Sequence, residues 1–317
     1  MKFNITVIIP VFNAEEFIEK ALNSVLIQSE VNEIIIVDDG STDTSFQICN
    51  RLAKDNVIIK IFQHPDKKNY GRSASRNLGI KNASSKYIAF LDADDYYLPN
   101  RFTKDIEILE AHPNIDGVYN AISAHFYRDS TIIEKEKLKL TTIRDRIAPE
   151  NLFENMGPIG HMGYFSGIGL TVRKTIFNKV GYFNNILEVA EDTELWIKMS
   201  LKANLQSGII DKPVAMRGVH KQNTSFNNDS LYAVNNLKMY ESLLNWCYKE
   251  HIRISKIDLI WKKVWINRGL NNTKLVDDLL FWFNAIIKNL KLLKLKRVYK
   301  TFPILTRIKR IFTFKLV

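Results

Sequence analysis

Residues 87–99 read YIAFLDADDYYLP. A short apolar, β-prone run ends in three carboxylates, Asp92, Asp94 and Asp95, within four positions. Like charges this close repel one another, so a strand end that carries them needs something positive nearby. If the strand persists, alternation puts Asp92 and Asp94 on one side and Asp95 on the other. Two hard oxygen ligands on one side suit Mg²⁺ or Mn²⁺, which retain waters and complete their shell from substrate phosphates. The plainer alternative is that Asp94 or Asp95 starts the turn before Pro99.

Working outward, apolar β-rich runs alternate with helical patterns through the first 120 residues. ITVIIP (5–10) reads as a buried strand. In the segment after it, Phe17, Ala21 and Val25, with Ile18, Leu22 and Leu26, form one helical face. Asn13 is the expected cap of this helix, with Glu16 in capping-box spacing. EIIIVDDGSTD (33–43) is a second strand running into a turn, followed by a helix to about Lys54 and a strand at VIIKIF (57–62). SASRNLGIKNA reads as a helix, YIAFLD as the fourth strand, and Pro99 suits the first turn of the next helix. This order predicts an α/β fold, a mostly parallel sheet flanked by crossover helices. Ligands in such sheets bind beyond the carboxyl ends of the strands. PVFN, DDGS and DADD follow the first, second and fourth strands, so three polar strand ends converge on one edge.

Further along, GIGLTVRKTIFNKVGYFNN predicts a strand, a short helix and a turn, and AEDTELWIKMSLKAN a helix with acids in its first turn. Beyond about Asn228 the pattern is helical. Two cysteines, Cys49 and Cys247, are far apart and in no metal-like spacing, which excludes a disulfide scaffold and points to a reducing compartment. The N-terminal apolar run is too short for a secretory signal, and no stretch approaches the roughly 20 apolar residues of a membrane span.

Several residues carry candidate chemistry. A carboxylate after the second strand can accept hydrogen bonds from a ribose or a base N–H. Of Asp38 and Asp39, one can serve as a helix cap, which leaves Asp39 as the ligand. No GxGxxG is present, so a phosphate grip must come from a metal and from basic side chains, with Arg72 and Arg76 placed to help. Glu191 and Asp192 open a helix, where acids are also unremarkable. His220 is a metal ligand or simply a loop histidine.

Taken together, VIIPVFNAEEFIEKALNSVLIQ, EIIIVDDGSTD, GRSASRNLGI, YIAFLDADDYYLP and AEDTELWIKMS resemble, in this order, the motifs of the family 2 glycosyltransferases. The resemblance covers about residues 3–226. It implies the GT-A nucleotide-diphospho-sugar transferase fold, with a Rossmann-like sheet, and inversion at the transferred sugar. DAD matches the family's DXD motif, implying that Asp92 and Asp94 hold the metal and the donor diphosphate, with Asp94 the direct ligand. Asp39 matches the carboxylate that reads the base. Pro10, Val11 and Glu15 match the loop lining the nucleoside pocket, and SRN matches A-R-N with Ser75 in place of Ala. Glu191 and Asp192 match the E-D pair, with Asp192 as catalytic base. RGVHKQNTS resembles the R-x-H-x-x-x-S loop, placing His220 near the metal. The implied cofactor is Mn²⁺ or Mg²⁺, the donor a nucleotide-diphospho-sugar with UDP-sugars first, and the acceptor a surface polysaccharide, lipopolysaccharide or lipid-linked glycan.

The net charge of +11 is concentrated at one end. Residues 279–317 hold ten Lys or Arg and no acid, leaving 35 basic against 34 acidic residues elsewhere. Interleaved with Leu, Ile and Phe, this predicts an interfacial helix, broken at Pro303, on an anionic membrane surface at the cytoplasmic face. The plainer reading is a solvated basic helix packed on the catalytic domain. The expected division is therefore a catalytic domain over 1–226 and a helical basic region over 227–317. A sugar nucleotidyltransferase would also want α/β architecture and a metal, but PVFNAEEF lacks its glycine-rich basic loop. A nucleic-acid-binding protein would suit the tail but not the near-neutral body.

Overall fold

The computed structural model of the protein describes residues 4–223 and 228–307. The chain divides into two compact units, Met1–Phe226 and Asn227–Val317. The first unit is built on β1 (Ile5–Val11), β2 (Val31–Asp38), β3 (Ile59–Gln63) and β4 (Tyr87–Phe90). β1, β4 and the Ile34–Val37 stretch of β2 are apolar and almost wholly buried, as strands covered on both faces are, whereas β3 lies at the sheet edge and exposes Lys60. β5 (Tyr96–Tyr97), β6 (Gly117–Tyr119), β7 (Ser123–Phe126), β8 (Leu170–Arg173), β9 (Leu205–Ser207) and β10 (Ala215–Val219) complete the strands.

The seven-stranded sheet has the order β3-β2-β1-β4-β8-β6-β9. All its pairs are parallel except those β8 makes with β4 and β6. The chain leaves β1 toward β2 on one side and toward β4 on the other. That reversal opens a crevice at the carboxyl ends of β1 and β4, where such sheets bind ligands. A second, three-stranded sheet, β5-β10-β7, carries the chain back past the end of β4.

α1 (Ile18–Leu26), α2 (Ser45–Asp55), α3 (Arg72–Asn82) and α4 (Thr103–Ala111) are the early helices. α5 (Ile132–Leu138), α6 (Leu152–Asn155), α7 (Ile176–Val180) and α8 (Glu191–Lys202) follow. α3 lies so close to β1 that a Cβ on Gly79 would sit 2.4 Å from Ile8 Cγ2.

Three local expectations are corrected. Asn13 does not cap α1: it takes a left-handed φ of 48°, and its Oδ1 accepts from Thr42 N at 2.8 Å, while the helix begins at Ile18 after a turn anchored on Ala14 O. Glu16 is exposed and forms no capping box. Pro99 lies before α4, because Asn100, at φ 61°, interrupts the helical path and Arg101 N is drawn to Gln28 Oε1 at 3.0 Å.

The second unit consists of α9 (Asp229–Lys249), α10 (Ile254–Leu270), α11 (Leu275–Lys288) and α12 (Lys296–Lys300). Its core includes Leu243, Trp261, Val264, Trp282, Leu292 and Val298. Trp261 Nε1 donates to Thr301 Oγ1 at 2.8 Å, and Trp282 Nε1 to Val298 O at 3.1 Å. The basic segment is therefore not one appended helix. Its break falls at Asn289, where a 3₁₀ turn over Leu290–Lys294 begins, and Pro303 instead opens a short helical stretch over 303–307. Residues 308–317 of the expected interfacial segment lie outside the described residues.

Candidate functional site

The strand ends determine what each acidic residue does. β4 stops at Phe90, and Asp92 to Asp95 form a turn closed by Asp95 N to Asp92 O at 3.0 Å. The condition for a two-residue alternation thus fails, and the three carboxylates part company. Asp92 Oδ1 accepts from Arg76 Nη2 at 2.6 Å. Asp94 Oδ2 lies 2.9 Å from His220 Nε2 and 3.0 Å from Asn223 Nδ2. Asp95 is buried and accepts from Gly218 N at 2.8 Å. Burial, then the charges of Asp94 and Asp92, push its carboxyl well above the usual range. For Asp92 burial acts upward too, but Arg76 wins and the carboxyl is held low.

Arg76 is the hub. Projecting from α3, it reaches Glu191 Oε1 at 2.9 Å through Nη1 while holding Asp92 through Nη2. Burial opposes its charge, and Asp92 and Glu191 more than restore it. Glu191 is sealed in: burial first, then Asp192, raise its carboxyl despite Arg76 and Arg72. Arg72 is more open, with Nε 3.5 Å from Glu191 and Nη2 donating to Glu188 O at 3.3 Å. Arg76 is thus committed to two carboxylates, and Arg72 is the freer of the two arginines. Glu191 and Asp192 begin α8 immediately after Ala190, whose φ of 65° is costly for a residue with a Cβ. That backbone turn aims the E-D pair at the site. Asp192 faces a small pocket whose walls include Arg76, Asp92, Ser166, Trp196 and Arg217.

A second group of candidate residues follows the ends of β1 and β2. Val11 O accepts from Asp39 N at 2.8 Å, which fixes the two loops side by side. Neither Asp38 nor Asp39 caps α2, which starts at Ser45. Asp38 accepts from Gln63 Nε2 at 2.9 Å. Asp39 accepts from Tyr70 N and Gly71 N, both at 2.8 Å, and so pins the start of α3. His64 Nε2 lies 3.4 Å from the Oδ1 that takes Tyr70 N, while the Oδ2 that takes Gly71 N has a second lone pair to offer. Pro10 is partly open at the end of β1. Glu15 is engaged locally, accepting from Thr44 N at 2.9 Å and Thr44 Oγ1 at 2.6 Å.

The donor set around Asp94 fits a divalent cation. A carboxylate oxygen and an imidazole nitrogen already meet, and the His220 ring is stacked on Phe17 with centroids 4.7 Å apart. His220 Nδ1 is buried without a partner. Asp92 points instead to Arg76. Among the described residues no three His, Cys, Asp or Glu side chains form a closed cage. Such an open set leaves the rest of a hexacoordinate shell to water and a diphosphate, as Mg²⁺ and Mn²⁺ sites commonly do. Thr224 and Ser225, which close RGVHKQNTS, lie outside the described residues.

Sequence reasoning missed three participants. Asn223 ties Asp94 to the His220 loop, with its Oδ1 accepting from His220 N at 2.6 Å. Arg217 lines the pocket and donates to Ser166 Oγ at 3.3 Å. Trp196, one helical turn beyond Asp192, presents a buried indole N–H with no partner. The i, i+4 spacing of Asp192 and Trp196 was a legible signal for the last, since such residues share a helix face.

The sequence model of the family described as Glycosyl transferase family 2 matches residues 6–165. An uncharacterized glycosyltransferase of Rickettsia conorii is 32% identical over 269 residues, 84% of this chain and 41% of that protein. One of Rickettsia felis is 31% identical over 281 residues, 88% of this chain and 44% of that protein. The chain thus spans about two fifths of the length of these relatives. Among solved structures, S. aureus TarS 1–349 in complex with UDP aligns with a TM-score of 0.62 at 21% identity, over 90% of this chain and 80% of that one. The complex of the same TarS fragment with UDP-GlcNAc gives 0.64 at 19%, over 93% and 83%. At these identities the likeness concerns the fold, and the GT-A architecture expected from the motifs is the one the chain adopts.

Proposed function

We propose, from the premise that this chain belongs to glycosyl transferase family 2 and is a glycosyltransferase, that it moves a sugar from a UDP-sugar to an acceptor hydroxyl with inversion. The observation that carries this reading is that Asp39 follows β2 and the Asp94–His220 pair follows β4 at the carboxyl ends of the sheet, while Asp92, two residues from Asp94, lines one pocket with Asp192.

In this reading Asp39 and the β1 loop, with Pro10, Val11 and Glu15, bind the nucleoside. Asp94 and His220 hold Mn²⁺ or Mg²⁺, which when bound neutralises the diphosphate. Arg72 faces the same anion. Arg76 holds Asp92 and Glu191 in place through its two terminal nitrogens, so that the start of α8 does not shift. A sugar hydroxyl is a poor nucleophile at neutral pH. Asp192 Oδ takes its proton as the oxygen attacks the anomeric carbon, a contribution of about 10²- to 10⁴-fold. In the same displacement the bond between the anomeric carbon and the diphosphate oxygen breaks, UDP leaves with the electron pair, and the centre is inverted. Arg217 and the Trp196 N–H supply donors to the sugar side of the pocket.

The acceptor in this reading is a surface polysaccharide, lipopolysaccharide or lipid-linked glycan, and the enzyme works in the cytoplasm on the inner face of the cell membrane. The basic end of the chain supports that location.

The test is a panel of nucleotide sugars, with and without Mn²⁺, read by nucleoside diphosphate release. UDP release with at least one UDP-sugar is expected. Release of pyrophosphate from a nucleoside triphosphate and a sugar phosphate would instead identify a nucleotidyltransferase. The uncovered rival, a nucleic-acid-binding role, predicts salt-sensitive oligonucleotide retention and no turnover.

A further inference from the structure

In the helical unit the apolar side chains of the basic segment sort into two sets. Trp282, Ala285, Ile286, Leu292 and Val298 are buried. Val276, Leu280, Phe283 and Ile287 point outward, between 51% and 75% exposed. Their spacing of four, three and four keeps them on one side of α11. Leu290, 68% exposed, extends the row into the 3₁₀ turn. A single exposed leucine needs no explanation, but an aligned row of five is a patch.

The charges that follow this row have one sign. Lys288, Lys291, Lys294, Lys296 and Lys300 are all exposed, and no acid occurs from residue 279 onward. Asp277 is exposed near the start of α11, while Asp278 is buried against Arg268 at 2.8 Å and Arg307 at 3.2 Å. A second copy docking in parallel on this row would set lysine against lysine. A soluble polyanion would satisfy the lysines and leave the apolar row wet. A surface offering both anionic headgroups and an acyl boundary satisfies both sets at once.

We infer that the outward face of α11, with the lysines that follow it, docks the protein on an anionic lipid bilayer. The row enters the acyl boundary and the lysines stay at the phosphates. This rests on the membrane location proposed above and assigns it to a folded face. No described helix is long and apolar enough to cross a membrane, in keeping with a helix that lies in the interface plane.

The test uses the full chain and vesicles of phosphatidylcholine with or without phosphatidylglycerol, by sedimentation at low and high salt. The unmodified protein should sediment with anionic vesicles and much less with neutral ones. Leu280→Ser with Ile287→Ser changes two side chains of the row that are 59% and 75% exposed. It should lower partitioning at least tenfold at high salt while leaving circular dichroism and turnover of a water-soluble acceptor unchanged. Lys288→Gln, Lys291→Gln and Lys294→Gln together should lower binding at low salt and flatten its salt dependence. If the unmodified protein does not sediment, the membrane location and this face both fall, while turnover judges the transferase reading separately. If the unmodified protein sediments and the Ser variant sediments equally well, the location stands and the α11 face is wrong. A concentration-dependent dimer that the Ser variant loses, without vesicle binding, overturns the inference in favour of a second copy.

Discussion

Replacing Arg76 by Ala should destabilise the first unit by about 3 kcal/mol, and the size of the loss should depend on pH. The side chains of Arg76 and Glu191 are 8% and 3% exposed, so the substitution leaves a carboxylate sealed in without its main partner. Breaking a buried pair in this way costs about 3–5 kcal/mol. The second contact adds little, since the Asp92 side chain is 42% exposed and solvent screens it, leaving roughly 0–1 kcal/mol. Arg72, 3.5 Å from Glu191, takes up part of the lost interaction and moves the total to the lower end. Against a typical stability of about 5–15 kcal/mol this is large. Burial already raises the Glu191 carboxyl, and loss of Arg76 raises it further. A raised acid binds its proton in the folded state before the unfolded one does, so the variant loses stability as pH rises from the ordinary Glu range toward its folded value. The deficit should therefore shrink between pH 8 and pH 5.5, and Arg76→Ala with Glu191→Gln should recover part of it. Only Trp196 of the five tryptophans lies in the first unit, so fluorescence would mostly report the other one. Hydrogen exchange of peptides spanning 72–82 and 191–202, across a urea series, reads the relevant region. A loss below about 1 kcal/mol, or the same loss at both pH values, would show that the pair is not sealed as described.

Asp94→Asn should abolish most of the Mn²⁺-dependent gain in UDP affinity, measured by calorimetry with and without metal; unchanged affinity would remove Asp94 from the metal. Asp192→Asn should bind donor nearly normally and turn over about 10²-fold or more slowly, and normal turnover would place the base elsewhere. Asn223→Ala frees Asp94 and His220 to move apart, so apparent Mn²⁺ affinity should fall about tenfold while turnover at saturating Mn²⁺ stays close to normal. Gly79→Val should fail to give folded protein at 37 °C, because even its Cβ meets Ile8 Cγ2 at 2.4 Å.

The architecture was legible because β1, β2 and β4 are short apolar runs closed by polar clusters, and doubly covered strands leave that signature. α3 and α8 were placed within a residue or two for similar reasons. The failures share a cause. Asn13, Asp38 and Pro99 follow local rules of capping and turn formation, but each is overridden by a partner distant in sequence. Thr42 takes the Asn13 side chain, Gln63 that of Asp38, and Gln28 holds the backbone just after Pro99. The basic segment misled in the same way. Its alternation of apolar and basic residues suggests one amphipathic helix, but only the packing of Trp282 and Leu292 shows which apolar groups face inward.

The carboxylates of YIAFLDADDYYLP show why a motif can announce a site without giving its wiring. Three like charges at one strand end remain together because each meets a different solution, brought from a different part of the chain. Asp92 keeps its charge against Arg76 of α3. Asp94 meets an imidazole and an amide from the loop after β10. Asp95 is buried, with its carboxyl pushed upward, and accepts from the backbone of β10. Only the middle one is left beside a nitrogen donor and open enough to take a cation, 26% exposed against 13% for His220. The metal proposed at Asp94 would therefore owe its place to something other than strand alternation. The turn after β4 separates the three groups, and the second sheet, by returning β10 past that turn, decides which of them can be a ligand.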